Sequence, residues 1–153
     1  MNVRMATKDE VKEVVLSPEF LPMLVEDGFS GDFEPDMAEV WLLFEDEKEI
    51  IGLFNFTQIT SICYEMHPMV YKKYRIKYAR QCMDWAFMYF LETGKNKIIV
   101  QIPSDRPELV NFAKNQGFIE EGVNRESVMK QGKIMNIIQL GITKSEIASR
   151  KAA

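Results

Sequence analysis

The segment Asn111–Lys133, NFAKNQGFIEEGVNRESVMKQGK, restricts what this chain can fold into more than any other stretch. It begins as a short amphipathic helix, and Gly117 falls where a helix C-terminus needs a residue that tolerates positive φ. Glu120-Glu121-Gly122 reads as a charged turn. Gln131-Gly132 reads as a hairpin turn before the apolar run Ile134–Ile142. A helix that stops on Gly-Phe and feeds two adjacent strands belongs to a mixed α/β chain.

The remainder supplies further alternating elements. Asn2–Ala6 predicts a short strand, and Thr7-Lys8-Asp9-Glu10 has the form of a capping box for a helix that ends before Pro18. Glu19–Glu49 is acidic and broken by Gly28, Gly31 and Pro35; it reads as a short helix and a mobile connection leading into a strand at Val40–Phe44. A polar turn at Glu45–Glu49 precedes the strand Ile50–Phe56. Gln58–His67 alternates as one strand, with Cys63, Glu65 and His67 on a shared face, and Pro68 stops it. Ile76, Ala79, Met83, Phe87 and Phe90 recur at helical spacing in a helix ending near Gly94. Lys97–Ile102 reads as a buried strand, Pro107 fits a helix first turn, and Thr143-Lys144-Ser145-Glu146 resembles a cap. Phe54, Phe56, Trp85, Phe87, Tyr89 and Phe90 are expected in the core.

At 153 residues the chain suits one domain, residues 1–153, with 143–153 as a short C-terminal helix or tail. A net charge of −4 argues against nucleic acid or an anionic membrane as the main partner. The N-terminus lacks a signal peptide's apolar stretch, and no apolar run approaches the roughly 20 residues of a membrane helix. Cys63, Cys82 and the single histidine, His67, offer neither a disulfide framework nor a metal site, so a cytoplasmic location is expected.

The helix–Gly-Phe–hairpin segment and the order βα(α)βββαβαββ resemble the GNAT superfamily of N-acetyltransferases, especially its ribosomal-protein-acetylating branch. The likeness spans nearly the whole chain and is strongest from Ile50 to Ile142. It implies an α/β (α+β) fold, a mixed and mostly antiparallel sheet flanked by helices. It also implies transfer of acetyl from acetyl-CoA to the primary amine of a small or protein acceptor. Cys63–Ala79 and Gly117–Lys133 are similar to small GNAT-like proteins encoded by tailed bacteriophages. That similarity implies an alternative: an inactive scaffold that binds phage or host proteins, in head assembly for example, in the host cytoplasm or the virion.

The resemblance also assigns roles. Glu65 falls where many members place a general base, and His67 on the same face would relay the proton. Main-chain N–H groups near Met69 and Val70 would polarise the thioester carbonyl. The family binds pyrophosphate on a loop Arg/Gln-x-x-Gly-x-Gly/Ala opening the next helix. With Arg75 in the first position, Tyr78 and Arg80 stand where the glycines belong, and no glycine occurs between Gly52 and Gly94. Either Arg75 and Lys77, within the basic run Lys72–Arg80, bind the anion through side chains, or the run is only the solvated start of a helix. Ala113 replaces the family's proton-donating tyrosine. Arg106 stands where the ribosomal branch holds CoA with asparagine, and would pair with a phosphate. Cys63 has no oriented base for a nucleophilic role. The acidic stretch Glu26–Glu49 falls where the fold often receives its acceptor.

Overall fold

Local signals in the chain place most elements. In the computed structural model, which describes residues 1–150, the order is β1 (Asn2–Met5), α1 (Lys8–Val15), α2 (Leu21–Leu24), β2 (Val40–Asp46), β3 (Glu49–Thr60) and β4 (Cys63–Val70), followed by α3 (Lys72–Glu92), β5 (Lys97–Pro103), α4 (Pro107–Asn115), β6 (Ile119–Lys130), β7 (Lys133–Thr143) and α5 (Lys144–Ala148). Both capping boxes form: Thr7 and Glu10 close α1, and Thr143 and Glu146 close α5. Gly117, at φ 109°, ends α4 in the left-handed region. Glu47-Lys48 and Gln131-Gly132 turn their hairpins with positive φ at both central positions, as the right-handed twist of the flanking strands requires.

The strands form one sheet in the order β1-β2-β3-β4-β5-β7-β6. β4 and β5 are parallel, and every other neighbouring pair is antiparallel. This is the mixed, mostly antiparallel sheet with flanking helices that the sequence implies.

Alternation along the central strands divides the core in two. Phe54 and Phe56 of β3 and Met66 of β4 point toward α3, where Cys82, Met83, Phe87 and Phe90 meet them. Leu53 and Met69 point the other way and pack with Val11, Val14, Phe20 and Trp41 on the α1 side. Each fully buried aromatic or aliphatic side chain stabilises the fold by about 1.5–3 kcal/mol, so both layers hold the sheet flat against its helices.

Several expected boundaries move. Gln58–His67 is a hairpin, not one strand: β3 ends at Thr60 and β4 begins at Cys63. The shared face of Cys63, Glu65 and His67 survives because all three lie in β4. Pro68 does not stop that strand, which continues to Val70. Glu120-Glu121-Gly122 is no turn but part of β6, with a bulge in the ladder between Glu120 and Gly122. In α3 the buried stripe is Tyr78, Cys82, Ala86 and Phe90 with Met83 and Phe87 beside it; Ile76 is fully exposed and Trp85 is 41% exposed. Among the described residues no helix is long and apolar enough to cross a membrane.

Candidate functional site

The sheet opens at its centre. β4 and β5 pair only through Cys63↔Lys97, Tyr64↔Ile98 and Glu65↔Ile99, although β4 runs on to Val70 and β5 to Pro103. β4 stays paired with β3 and β5 with β7 throughout, so the sheet opens between these two strands. The direction of the freed backbone follows from the β3–β4 ladder. Tyr71 N–H donates to Ile51 O at 3.1 Å; by two-residue alternation the N–H groups of Met69 and His67 face β3 as well. The N–H of Val70 faces the other side, where β5 has departed. Pro68 lies between them with no N–H to give, in a register position opposite Phe54 that needs none from β3. Of the two N–H groups expected to meet a carbonyl, Val70's faces the gap and Met69's lies in the ladder.

Glu65 and His67 stand beside this gap on the α1 face of β4. His67 Nε2 lies 3.2 Å from Glu65 Oε2, and Nδ1 is buried without a partner. With Nε2–H donated to the carboxylate, the neutral ring presents Nδ1 as an acceptor. Opposite the pair in register sit Asn55 and Thr57 of β3. Both donate to Glu39 Oε2, at 2.9 Å from Asn55 Nδ2 and 2.7 Å from Thr57 Oγ1. This three-residue network was missed in the sequence, yet Asn55 gave a signal: it is a buried polar residue inside an apolar strand. Cys63, on the same face, is half-buried, and burial pushes its thiol pKa up against the opposing pull of Lys97, which leaves it a poor nucleophile.

His67 and Met69 form the floor of a cleft of about 470 Å³ whose walls come from the end of α1, from α2 and from the loop after it. Leu21, Leu24, Phe29, Phe33 and Trp41 supply most of that wall, with Glu26 and Asp27 at its rim. The tip of the β6–β7 hairpin fastens the loop. Gln131 and Gly132 N–H groups donate to the Asp27 carboxylate at 2.7 and 2.9 Å, and Asp27 N–H donates to Met129 O at 2.9 Å. The acidic connection is therefore a wall with defined fastenings.

The basic run behaves differently from a phosphate-binding loop. Without glycines, α3 begins at Lys72, directly after the N-cap Tyr71. Tyr78 and Arg80 lie in later turns, where their N–H groups belong to the helix. Tyr78 is buried with its hydroxyl on Asp46. The donor left at the helix start, Lys72 N–H, is already met by Glu19 Oε2 at 2.7 Å, a carboxylate that also favours the helix dipole. Arg75 lies 3.7 Å from the same carboxylate and donates through Nε to Val70 O at 2.9 Å.

The expected anion-binding side chains are not all in one place. Arg106 is the N-cap of α4 and bonds Glu108 at 2.5 Å. That bond, ahead of Glu108's own backbone N–H and the charges of Arg106 and Arg75, holds the Glu108 carboxyl below the usual range. Arg75 and Arg106 thus act on one carboxylate between the starts of α3 and α4. Lys77 points elsewhere: it lies over the Tyr78 ring at 4.8 Å, and the Tyr78 hydroxyl, then Asp46 and Glu47, raise its pKa. Ala113 is buried in the α3-side core, so its position serves packing. Among the described residues no cluster of His, Cys, Asp and Glu could hold a metal ion.

No protein-family model matches this chain, and no curated protein matches it. Solved structures do. A variant of the spermidine N-acetyltransferase SpeG from Vibrio cholerae superposes with a TM-score of 0.81 at 18% identity, over 98% of this chain and 99% of that one. The same enzyme's complex with CoA and spermine gives 0.81 at 17% identity, over 97% of this chain and 98% of that one. A chimera of the Vibrio cholerae enzyme with hSSAT gives 0.79 at 19%, over 98% and 100%. The chain has the GNAT fold over its whole described length.

Proposed function

We propose that this protein transfers an acetyl group from acetyl-CoA to a primary amine held in the cleft between α1, α2 and β4. The observation that carries the reading is the parting of β4 from β5 beside the Glu65–His67 pair: a donor channel and an acceptor cleft meet at one strand. The neighbouring structure that holds CoA and spermine supports the same pairing of ligands. The residues fit the acyl end of the donor, since Val70 N–H faces the gap. They do not fit a main-chain pyrophosphate cradle, because α3 has absorbed it, so Arg75 and Arg106 are left to meet the phosphates by side chain.

Acetyl-CoA when bound supplies an activated thioester. The chain's part is to bring a neutral amine to it. The Glu65–His67 pair takes the proton that the amine nitrogen loses as its bond to the acetyl carbon forms. The carbon–sulfur bond breaks in the same reaction and the thiolate leaves as CoA. The two free thiols, Cys63 and Cys82, suit a reducing cytoplasm.

A second reading draws on the lost glycine loop: an inactive GNAT scaffold binding phage or host proteins. Calorimetric titration with acetyl-CoA and with CoA separates the two. Micromolar binding that falls at least tenfold in Arg75→Ala/Arg106→Ala, with amine acetylation lost in Glu65→Gln, is the expected result. No heat at millimolar acetyl-CoA would retire the enzyme and leave the scaffold.

A further inference from the structure

The acceptor cleft carries information about which amine it takes, and this inference rests on the reading of the cleft as an acceptor site. Its polar groups are nearly all committed inside the protein. Asn55 Nδ2 donates to Glu39 Oε2 and to Val40 O, at 2.9 and 3.2 Å. Trp41 Nε1 donates to Asp36 O at 3.0 Å. Both oxygens of Asp27 accept from the hairpin turn. What remains polar along the wall is His67 at the floor, beside the gap, and Glu26 at the exposed rim. Between them lie Leu21, Leu24, Phe29, Phe33, Trp41 and Met69.

An amine with further ammonium groups along its chain would set them against those apolar walls. Any held between the floor and the Glu26–Asp27 rim would lose hydration without gaining a hydrogen-bond partner, which in an apolar setting is unfavourable. A primary amine with a single charge and an aromatic or branched apolar body matches the order of groups: nitrogen at His67, body against Phe29, Phe33 and Trp41. The volume, about 470 Å³, lies within the range of small-ligand pockets. We infer that the acceptor is a small arylalkyl or branched alkyl monoamine, in contrast to the polyamine named for the structural neighbours.

The test is calorimetric binding of tryptamine, phenethylamine and spermidine to the whole chain without an acetyl donor, followed by the same amines as acceptors with acetyl-CoA. A short peptide amide led by leucine enters as a further arm, standing for the N-terminus of a protein. The expected result is that tryptamine binds at least tenfold more tightly than spermidine. In Leu24→Glu, a change at a residue 39% exposed, that preference collapses at least tenfold with the thermal midpoint unchanged. Phe29→Asp, at 38% exposure, gives a second variant should the first unfold. Spermidine binding as tightly as tryptamine, or a preference untouched by both folded variants, overturns the inference. That peptide outcompeting the free arylalkylamines overturns the small-molecule assignment. Because the binding arm needs no donor, a cleft that selects tryptamine in a protein that ignores acetyl-CoA would sink the enzymatic reading and leave this one standing.

Discussion

Gly52 is where the geometry of the site can be tested through stability alone. It faces Val70 across the β3–β4 ladder. A methyl group added there would overlap Met69 O outright and lie 3.2 Å from Val70 Cα. Both are main-chain atoms, so no rotamer relieves the overlap. Relaxed C···O contacts are about 3.3–3.6 Å, so β4 must retreat by on the order of 1 Å. The retreat strains the Tyr71 N–H bond to Ile51 O, now 3.1 Å, at the N-cap of α3. Losing that bond removes about 0.5–1.5 kcal/mol. Partial unpacking of Met69 and Val70 removes about 2 kcal/mol more. Alanine regains about 0.5–1 kcal/mol over glycine through chain entropy. Gly52→Ala should therefore destabilise by about 1.5–3 kcal/mol, read from urea unfolding by tryptophan fluorescence. Two other strand glycines serve as a scale. Gly122 has nothing within 4 Å of the added atom, so Gly122→Ala should be neutral or slightly stabilising. At Gly141 the obstacles are the side-chain ends of Glu121 and Lys97, which can swing away, so the change should cost about 0.5–1 kcal/mol with their ion pair. Gly52→Ala within about 0.5 kcal/mol of the parent, or Gly122→Ala equally damaging, would refute the argument.

Three further outcomes are expected. Glu10 bonds both terminal nitrogens of Arg4, at 2.9 and 2.6 Å, and receives Thr7 N–H, which lowers its pKa from 4.5 to about 2, the Arg4 hydrogen bond being the largest cause. A depressed carboxyl stabilises above its unfolded pKa, and that contribution drains away as pH falls from about 4.5 to about 2. Glu10→Gln should cost about 1–2 kcal/mol at neutral pH, after screening at the exposed side of Arg4, and nothing near pH 2, measured by urea midpoints across pH. Arg150 donates to Gln116 O and Oε1 at 2.8 Å each and to Asp84 at 2.9 Å, and covers the Phe87 ring at 4.5 Å. Arg150→Ala should lower stability by about 2–3 kcal/mol and Arg150→Lys should recover little, since an ammonium lacks the planar fork. Cys82 is fully buried, and burial pushes its thiol up to about 12. Alkylation of the native protein should label Cys63 alone, and labelling of Cys82 before unfolding would contradict that packing.

Most signals that were local and chemically specific survived in the fold, the exceptions being Pro68 and Glu120-Glu121-Gly122. Thr7 and Glu10, Gly117, Pro107 and Gln131-Gly132 each set a boundary because the backbone conformation they permit is decided within four or five residues. Alternation was less reliable. Gln58–His67 alternates perfectly, yet the chain turns back at Ser61-Ile62: the two-residue loop pairs Thr60 with Cys63 and inverts the alternation, and the bulge between Gln58 and Thr60 restores it, so the pattern hides the turn. Cys63, Glu65 and His67 keep one face because all three lie in β4. Ile76 misled for another reason. Apolar spacing marks a helix stripe, but the stripe is centred where the sheet lies, and here the sheet takes Tyr78 and Cys82.

The basic run Lys72–Arg80 shows most clearly why composition alone left two readings open. Its lysines and arginines are adjacent in sequence, but successive helical residues are 100° apart, and a turn of helix sends Arg75 and Lys77 to different neighbours. Arg75 turns to Glu19 and the Val70 carbonyl, while Lys77 lies over the Tyr78 ring. No spacing rule could have supplied Glu19, which comes from the α1–α2 linker to occupy the first N–H of α3, 53 positions away. Without glycines the helix starts directly after the strand, and its first N–H lies within reach of a carboxylate from the α1–α2 linker. Any anion bound there must compete with Glu19, and Glu19 stands two residues before α2, whose leucines line the cleft over His67 and Met69. The start of α3 and the wall of that cleft, separate in sequence, are tied by this hydrogen bond, by the Arg75–Glu19 ion pair at 3.7 Å and by the Phe20–Tyr71 ring contact at 4.8 Å.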